Sequence, residues 1–235
     1  MKVKKYIRNK YYIFCILTVN ICFLLGYFLL ASLDKIVRPS IAELYNSIYT
    51  VYTEFGMLIF PVLILNTFAN DYKNKNILFY KLMGYDWLSY FLEKLIVNFF
   101  GISIPTVLGV LMVSIIYGDY TYLGVMIFYF ESVISFQVLL ECLWGFIFKT
   151  MMVGYMANFA YWLFSIIFAT ANPKLSFFAR YDAANSVYLR LDEYFNTYNT
   201  ANLSIAGNFL YTIFVFIIIV GIVWLYRRRW EKNGI

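Results

Sequence analysis

Apolar runs of roughly 20 residues, separated by short polar stretches, dominate the 235-residue chain. They fall at 11–33, 47–69, 95–117, 123–148, 151–170 and 206–226. A helix crosses a hydrocarbon core ~30 Å thick with about 20 residues, at ~1.5 Å rise per residue. The pattern predicts an all-α, polytopic membrane protein with six transmembrane helices in a single domain over 1–235. Three segments lie outside the spans: a basic segment at 1–10, a connection at 70–94 and a segment at 171–205. Function then resides in the bilayer, in these connections or in a partner chain.

The connection between spans 2 and 3 has the most internal pattern. It begins polar, from Asn70 to Asn76, and becomes amphipathic, with Ile77, Leu78, Lys81 and Leu82 at helical spacing. Gly84 suits the residue after a helix end, and Asp86 or Ser89 suits the cap of the next helix. The expectation is a short helix, a turn, and a second helix running into span 3. Pro39 breaks any helix in the loop at 34–46, and Pro61 and Pro105 predict kinks in spans 2 and 3. Residues 1–10 interleave Val3, Tyr6 and Ile7 with basic residues, as in a surface-lying helix or a solvated tail. The 171–205 segment is nearly neutral and rich in Phe and Tyr, which predicts one or two short helices on the outer surface.

Charge orients the spans. Lys2, Lys4, Lys5, Arg8, Lys10, Lys73, Lys75, Lys81, Lys94, Lys149, Arg227, Arg228, Arg229 and Lys232 fall on one side of a six-span chain. Lys35, Arg38, Lys174, Arg180 and Arg190 fall on the other. This fourteen-to-five bias follows the positive-inside rule and places both termini in the cytoplasm. It also accounts for the net charge of +6 without any nucleic acid partner. The composition agrees, at 63% hydrophobic with mean hydropathy +0.70. The run in span 1, about 23 residues, exceeds the 7–15 of a signal-peptide core, so it reads as an uncleaved first helix.

Several chemistries are absent from the sequence. It has no histidine, which removes His-based zinc sites and His-dependent triads. It has no phosphate-binding loop motif, so nucleotide hydrolysis of that kind belongs to another chain. Neither a catalytic residue nor a metal site is expected. Cys15, Cys22 and Cys142 all lie in spans, as small apolar packing residues. Three carboxylates fall in spans: Glu54 near one end, Glu131 near mid-span, and Glu141 closer to the cytoplasm. Gln137 and Glu141 are four residues apart and share a helix face. Such residues either line a path or subunit interface or make structural hydrogen bonds between helices. Both readings stand at this point.

The order of features over 54–100 resembles the permease subunits of ABC-2 type exporters. Span 2 carries a proline, Asp71 follows at its cytoplasmic end, then come Ile77-Leu78-Phe79-Tyr80-Lys81, Gly84-Tyr85, and Glu93-Lys94 opening span 3. The resemblance implies a coupling helix that a separate ATPase grips, through Asp71, Phe79, Tyr80, Lys81, Tyr85, Asp86 and Trp87. It implies two ATPase copies that bind ATP and Mg, a second permease copy or a sister permease, and no cofactor in this chain. Spans 2 and 5 would line the route, with Phe60, Asn66, Tyr155, Asn158 and Tyr161 as lining residues beside Glu131, Gln137 and Glu141. In general character the chain is similar to small Gram-positive permeases for antimicrobial or amphipathic peptides, such as lantibiotic immunity transporters and the phenol-soluble modulin exporter. That implies a plasma-membrane location and an amphipathic peptide substrate. Two alternatives remain: a proton-coupled carrier using Glu131 or Glu141, and an immunity protein that binds a toxin without moving it.

Overall fold

The computed structural model describes residues 10–36, 38–171, 175–183 and 185–232. The expected surface helix within 1–10 falls almost wholly outside them, as does Lys174. The described residues contain helices and no strand. We label the helices α1 (Tyr11–Ser32), α2 (Ile41–Thr50), α3 (Gly56–Lys73), α4 (Asn76–Leu82), α5 (Trp87–Tyr117), α6 (Leu123–Ile147), α7 (Met151–Ala171), α8 (Ser186–Thr197) and α9 (Ile205–Lys232). A π-helical turn, Val51–Phe55, joins α2 to α3 into one continuous span. Six helices are long and apolar enough to cross a membrane, at the places the hydropathy pattern predicts.

The bundle is organised around α6, which packs against α3, α5, α7 and α9. The α2–α3 span and α6 are the most covered, while α7 and α9 are the barest. Outward stripes such as Ile104, Leu108 and Met112 on α5 and Phe209, Ile213 and Ile217 on α9 are exposed, as lipid-facing residues must be. Glycines permit the closest approaches inside. A Cβ at Gly26 would lie 2.9 Å from the Ile48 Cα, and one at Gly145 would lie 2.5 Å from the Phe68 ring. Small residues at such crossings are the usual device of membrane helices, where close packing replaces the hydrophobic drive.

Span 2 begins earlier than its apolar run, at Ile41. Ser40 and Glu43 form a reciprocal capping box, so a polar first turn is stabilised despite its low hydropathy. The π turn and Pro61 then free two backbone carbonyls, and partner helices satisfy both. The Gly56 amide bonds to the Val51 oxygen instead of the Tyr52 oxygen, and Gln137 Nε2 donates to the latter at 2.7 Å. Pro61 has no N–H for the Met57 oxygen, and Asn158 Nδ2 donates to it at 2.6 Å. Two side chains from α6 and α7 thus lock the irregular helix in place, because in hydrocarbon every backbone group must find a partner.

The two ends of the bundle differ. One end carries α4, the start of α1 and the ends of α3, α6 and α9, tied by Tyr72 donating to the Phe146 oxygen and by Trp230 packing on Tyr90. This is the basic end. At the other end α8 is an amphipathic helix whose Val187, Leu191, Tyr194 and Phe195 are buried. Asn46 donates to Asp192, the Thr50 and Tyr188 hydroxyls share a hydrogen bond, and the Ser204 amide donates to the Tyr129 hydroxyl. The 171–205 segment therefore forms a cap tied to the bundle by specific hydrogen bonds. The three cysteines are free and buried, as small packing residues should be.

Candidate functional site at the basic end

The polar connection between spans 2 and 3 folds as its punctuation indicates. Lys75 adopts a left-handed conformation (φ 55°) and turns the chain from α3 into α4. Gly84 (φ 79°) turns it out of α4, in a conformation glycine adopts at little cost. Asp86 caps α5 by accepting the Ser89 amide at 2.8 Å. The Ser89 hydroxyl and amide hold the Asp86 carboxyl below its ordinary range.

Two braces fix α4 to the bundle. At its start, Asn76 Nδ2 donates to Asp71 Oδ1 at 2.9 Å, and Asp71 Oδ2 pairs with Lys94 Nζ at 2.6 Å. Lys94 also donates to the Thr67 oxygen at 2.8 Å and lies over the Phe68 and Tyr90 rings. Asp71 and Lys94 are 2% and 1% exposed, so this is a buried ion pair joining α3 and α5. Further along, Tyr80 is buried against Tyr85 and Tyr90. Lys81 donates to the Glu231 oxygen and lies over the Trp230 ring, which ties α4 to the end of α9.

What α4 leaves uncovered is apolar. Phe79 is 63% exposed and Leu82 78%, flanked by exposed Leu78 and Met83. The residues that the resemblance groups as one contact set therefore divide. Phe79 faces outward; Tyr85 and Trp87 are half-buried; Asp86 is a helix cap; Asp71, Tyr80 and Lys81 hold α4 from within. Leu78, Leu82 and Met83 belong to the exposed surface and were missing from that set. Trp230 was missing from the bracing, since a tryptophan at the end of a span reads as an interfacial anchor.

The residues grouped as path-lining do not converge on one surface. Phe60 is buried against the Tyr52 ring. Gln137 and Asn158 are engaged with span 2 backbone. Glu131 accepts the Ser103 hydroxyl at 2.7 Å, a hydrogen bond between α6 and α5. Tyr161 donates to the Phe178 oxygen at 2.6 Å. Tyr155 is half-buried on α7, and Asn66 is exposed on α3. Glu141 differs from all of these: it is 0% exposed, and neither carboxyl oxygen has a hydrogen-bond partner among the described residues. Glu54, at the far end of span 2, accepts the Ala183 amide at 2.9 Å.

A polar cavity of about 380 Å³ lies beside the first brace, between α1, α3, α4 and α5. Asn66, Asn70, Asn74 and Asn76 contribute most of its polar lining, and Asp71 and Lys94 line it as well.

A six-span bundle with a clamped surface helix at its basic end defines a multi-pass membrane protein of the permease class. The chain belongs to the Peptide export permease protein YydJ family, which matches residues 1–235. It is 30% identical over 241 residues to the probable peptide export permease protein YydJ of Bacillus subtilis (strain 168), spanning 100% of this chain and 99% of that one. No solved structure matches it. The resemblance to exporter permeases therefore holds at the level of family, and the Bacillus relative agrees with a Gram-positive cell membrane.

Proposed function

We propose that this chain is the permease subunit of an ATP-binding cassette exporter that moves amphipathic or antimicrobial peptides out of the cell or its membrane. The charge bias puts the basic end in the cytoplasm. Two ATPase subunits dock there and supply ATP and Mg²⁺ chemistry from their own chains. A second copy, or a sister permease, completes the path.

The observation that carries this reading is α4 itself, which is fixed on its inner side and bare on its outer side. A seven-residue helix held by an ion pair, a tyrosine cluster and a cation–π contact can transmit a push to α3, α5 and α9. Its exposed Phe79, Leu82 and Met83 offer an apolar anchor for a groove on a partner. Membership of a peptide export permease family supports the cargo class. In the proposed cycle, closure of the ATPases on nucleotide pushes α4, and the braces carry that motion into the spans.

The test is efflux of a fluorescent amphipathic peptide from host cells that carry the wild-type protein. ATP depletion should abolish efflux at constant membrane potential. Efflux that follows the proton gradient and survives ATP depletion would favour the proton-coupled alternative, for which unpartnered Glu141 is the group to replace. Protection against a toxic peptide with no efflux at all would favour the immunity alternative.

A further inference from the structure

We infer that the asparagine-lined cavity at the basic end is an intake site that binds the exported peptide by its main chain. This deepens the export reading and rests on it. Asn66, Asn70 and Asn74 lie at successive four-residue steps on one face of α3 and its C-terminal turn, and Asn76 joins them from α4. Four-residue steps of a helix advance ~6 Å. Alternate residues of an extended chain advance ~6.7 Å. The ladder of side-chain amides thus matches the repeat at which an extended peptide presents groups to one side. Each asparagine amide can donate two hydrogen bonds and accept at its oxygen, which is what main-chain N–H and C=O groups require.

Charge points the same way. The cavity's only charged residues are Asp71 and Lys94, and they neutralise each other at 2.6 Å. A lining with no net charge suits uncharged amides and gives no spare cation for a lipid phosphate or a peptide carboxylate. The volume, about 380 Å³, lies within the roughly 300–1,000 Å³ usual for ligand pockets. One wall is apolar, from Phe14 and Leu63. Phe14 also belongs to the outward apolar stripe of α1, with Ile13, Ile16 and Leu17. An amphipathic peptide lying at that depth of the membrane can therefore place its main chain on the asparagines and its apolar side chains on α1. Recognition through the main chain is independent of sequence, which fits an exporter that accepts related peptides.

The test uses the assembled protein in membranes of a peptide-producing host. Asn70→Cys is labelled with a benzophenone maleimide, irradiated, and its adducts are identified by mass spectrometry. The native Cys15, Cys22 and Cys142 are buried and do not compete for label. The comparison is Leu108→Cys on the exposed face of α5. The expected result is peptide adducts at least tenfold more abundant at position 70 than at 108. Phospholipid adducts at both positions, adducts to another part of the same chain, or no adduct at position 70 would overturn the assignment. In parallel, Asn66→Leu with Asn70→Leu should reduce peptide efflux at least tenfold at normal membrane abundance, and Asn70→Gln should keep it. Unchanged efflux in the double leucine variant overturns the intake site while leaving the export reading intact. Absence of efflux from the wild-type protein instead defeats the export reading, and the intake site with it.

Discussion

Lys94→Met is the substitution that tests the architecture of the basic end most severely. Lys94 and Asp71 are 1% and 2% exposed, with nitrogen and oxygen 2.6 Å apart. Removing the ammonium leaves a carboxylate buried beside the polar cavity with Asn76 as its remaining printed donor. Loss of one partner from a buried pair costs about 3–5 kcal/mol. The surviving Asn76 hydrogen bond and the neighbouring cavity place this case near the lower end, about 3 kcal/mol. For a chain of this size a loss of that order lowers the unfolding midpoint by roughly 6–12 °C. Replacing both members by apolar residues removes the stranded charge and is often neutral or favourable. Asp71→Leu with Lys94→Met should therefore recover most of the loss, to within about 1 kcal/mol of wild type. The assay is thermal unfolding in mild detergent, followed by tryptophan fluorescence, on wild type, both single variants and the double. Additive losses in the double variant, or a Lys94→Met midpoint no lower than that of lipid-facing Leu108→Ala, would refute the buried-pair argument.

Three further outcomes follow from local geometry. Asn158→Leu should destabilise by about 1–2 kcal/mol by stranding the Met57 carbonyl, yet have little effect in a Pro61→Ala background, where a new backbone N–H can reach that carbonyl; paired unfolding midpoints measure the difference. Gly26→Ala should cost about 1–3 kcal/mol, because the added Cβ meets Ile48 backbone, whereas Gly221→Ala, with open space around it, should be neutral or gain up to about 1 kcal/mol. The cap at Asp86 has its carboxyl held below the ordinary range, so it contributes above the ordinary carboxylate value and is lost as pH falls through the lowered one. Amide exchange at Ser89 should accelerate only in that acidic window, and Asp86→Asn should remove the pH dependence while keeping the cap.

Much of this fold was legible because the bilayer imposes lengths. Five of the six apolar runs end within a few residues of their helices, and Gly84 and Asp86 marked the turn between α4 and α5. Span 2 was misjudged at its start because α2 is held by the Ser40–Glu43 capping box, a signal that hydropathy alone does not register. Lys94 read as a loop charge beside a span; only the meeting of α3 and α5 reveals that Asp71 buries it. Gln137 and Asn158 were recognised as unusual polar residues in spans, but their partners are main-chain carbonyls freed by a π turn and a proline. Pro61 announces one of those carbonyls four residues earlier, while nothing in the sequence marks the π turn. The asparagines at 66, 70 and 74 show a helical spacing that could have singled them out, had the search included neutral amides as well as charges.

The central claim is that the bare outer side of α4 is where an ATPase grips this permease. The most direct test is purification of the tagged protein from its host in mild detergent, with identification of what comes with it, for wild type and for Phe79→Glu with Leu82→Glu. Both residues point away from the bundle, so the double variant should insert and elute as the wild type does. A phosphate-loop ATPase stoichiometric with the wild type and absent from the variant is the predicted result. An ATPase retained equally by both, or absent from both, would contradict the claim.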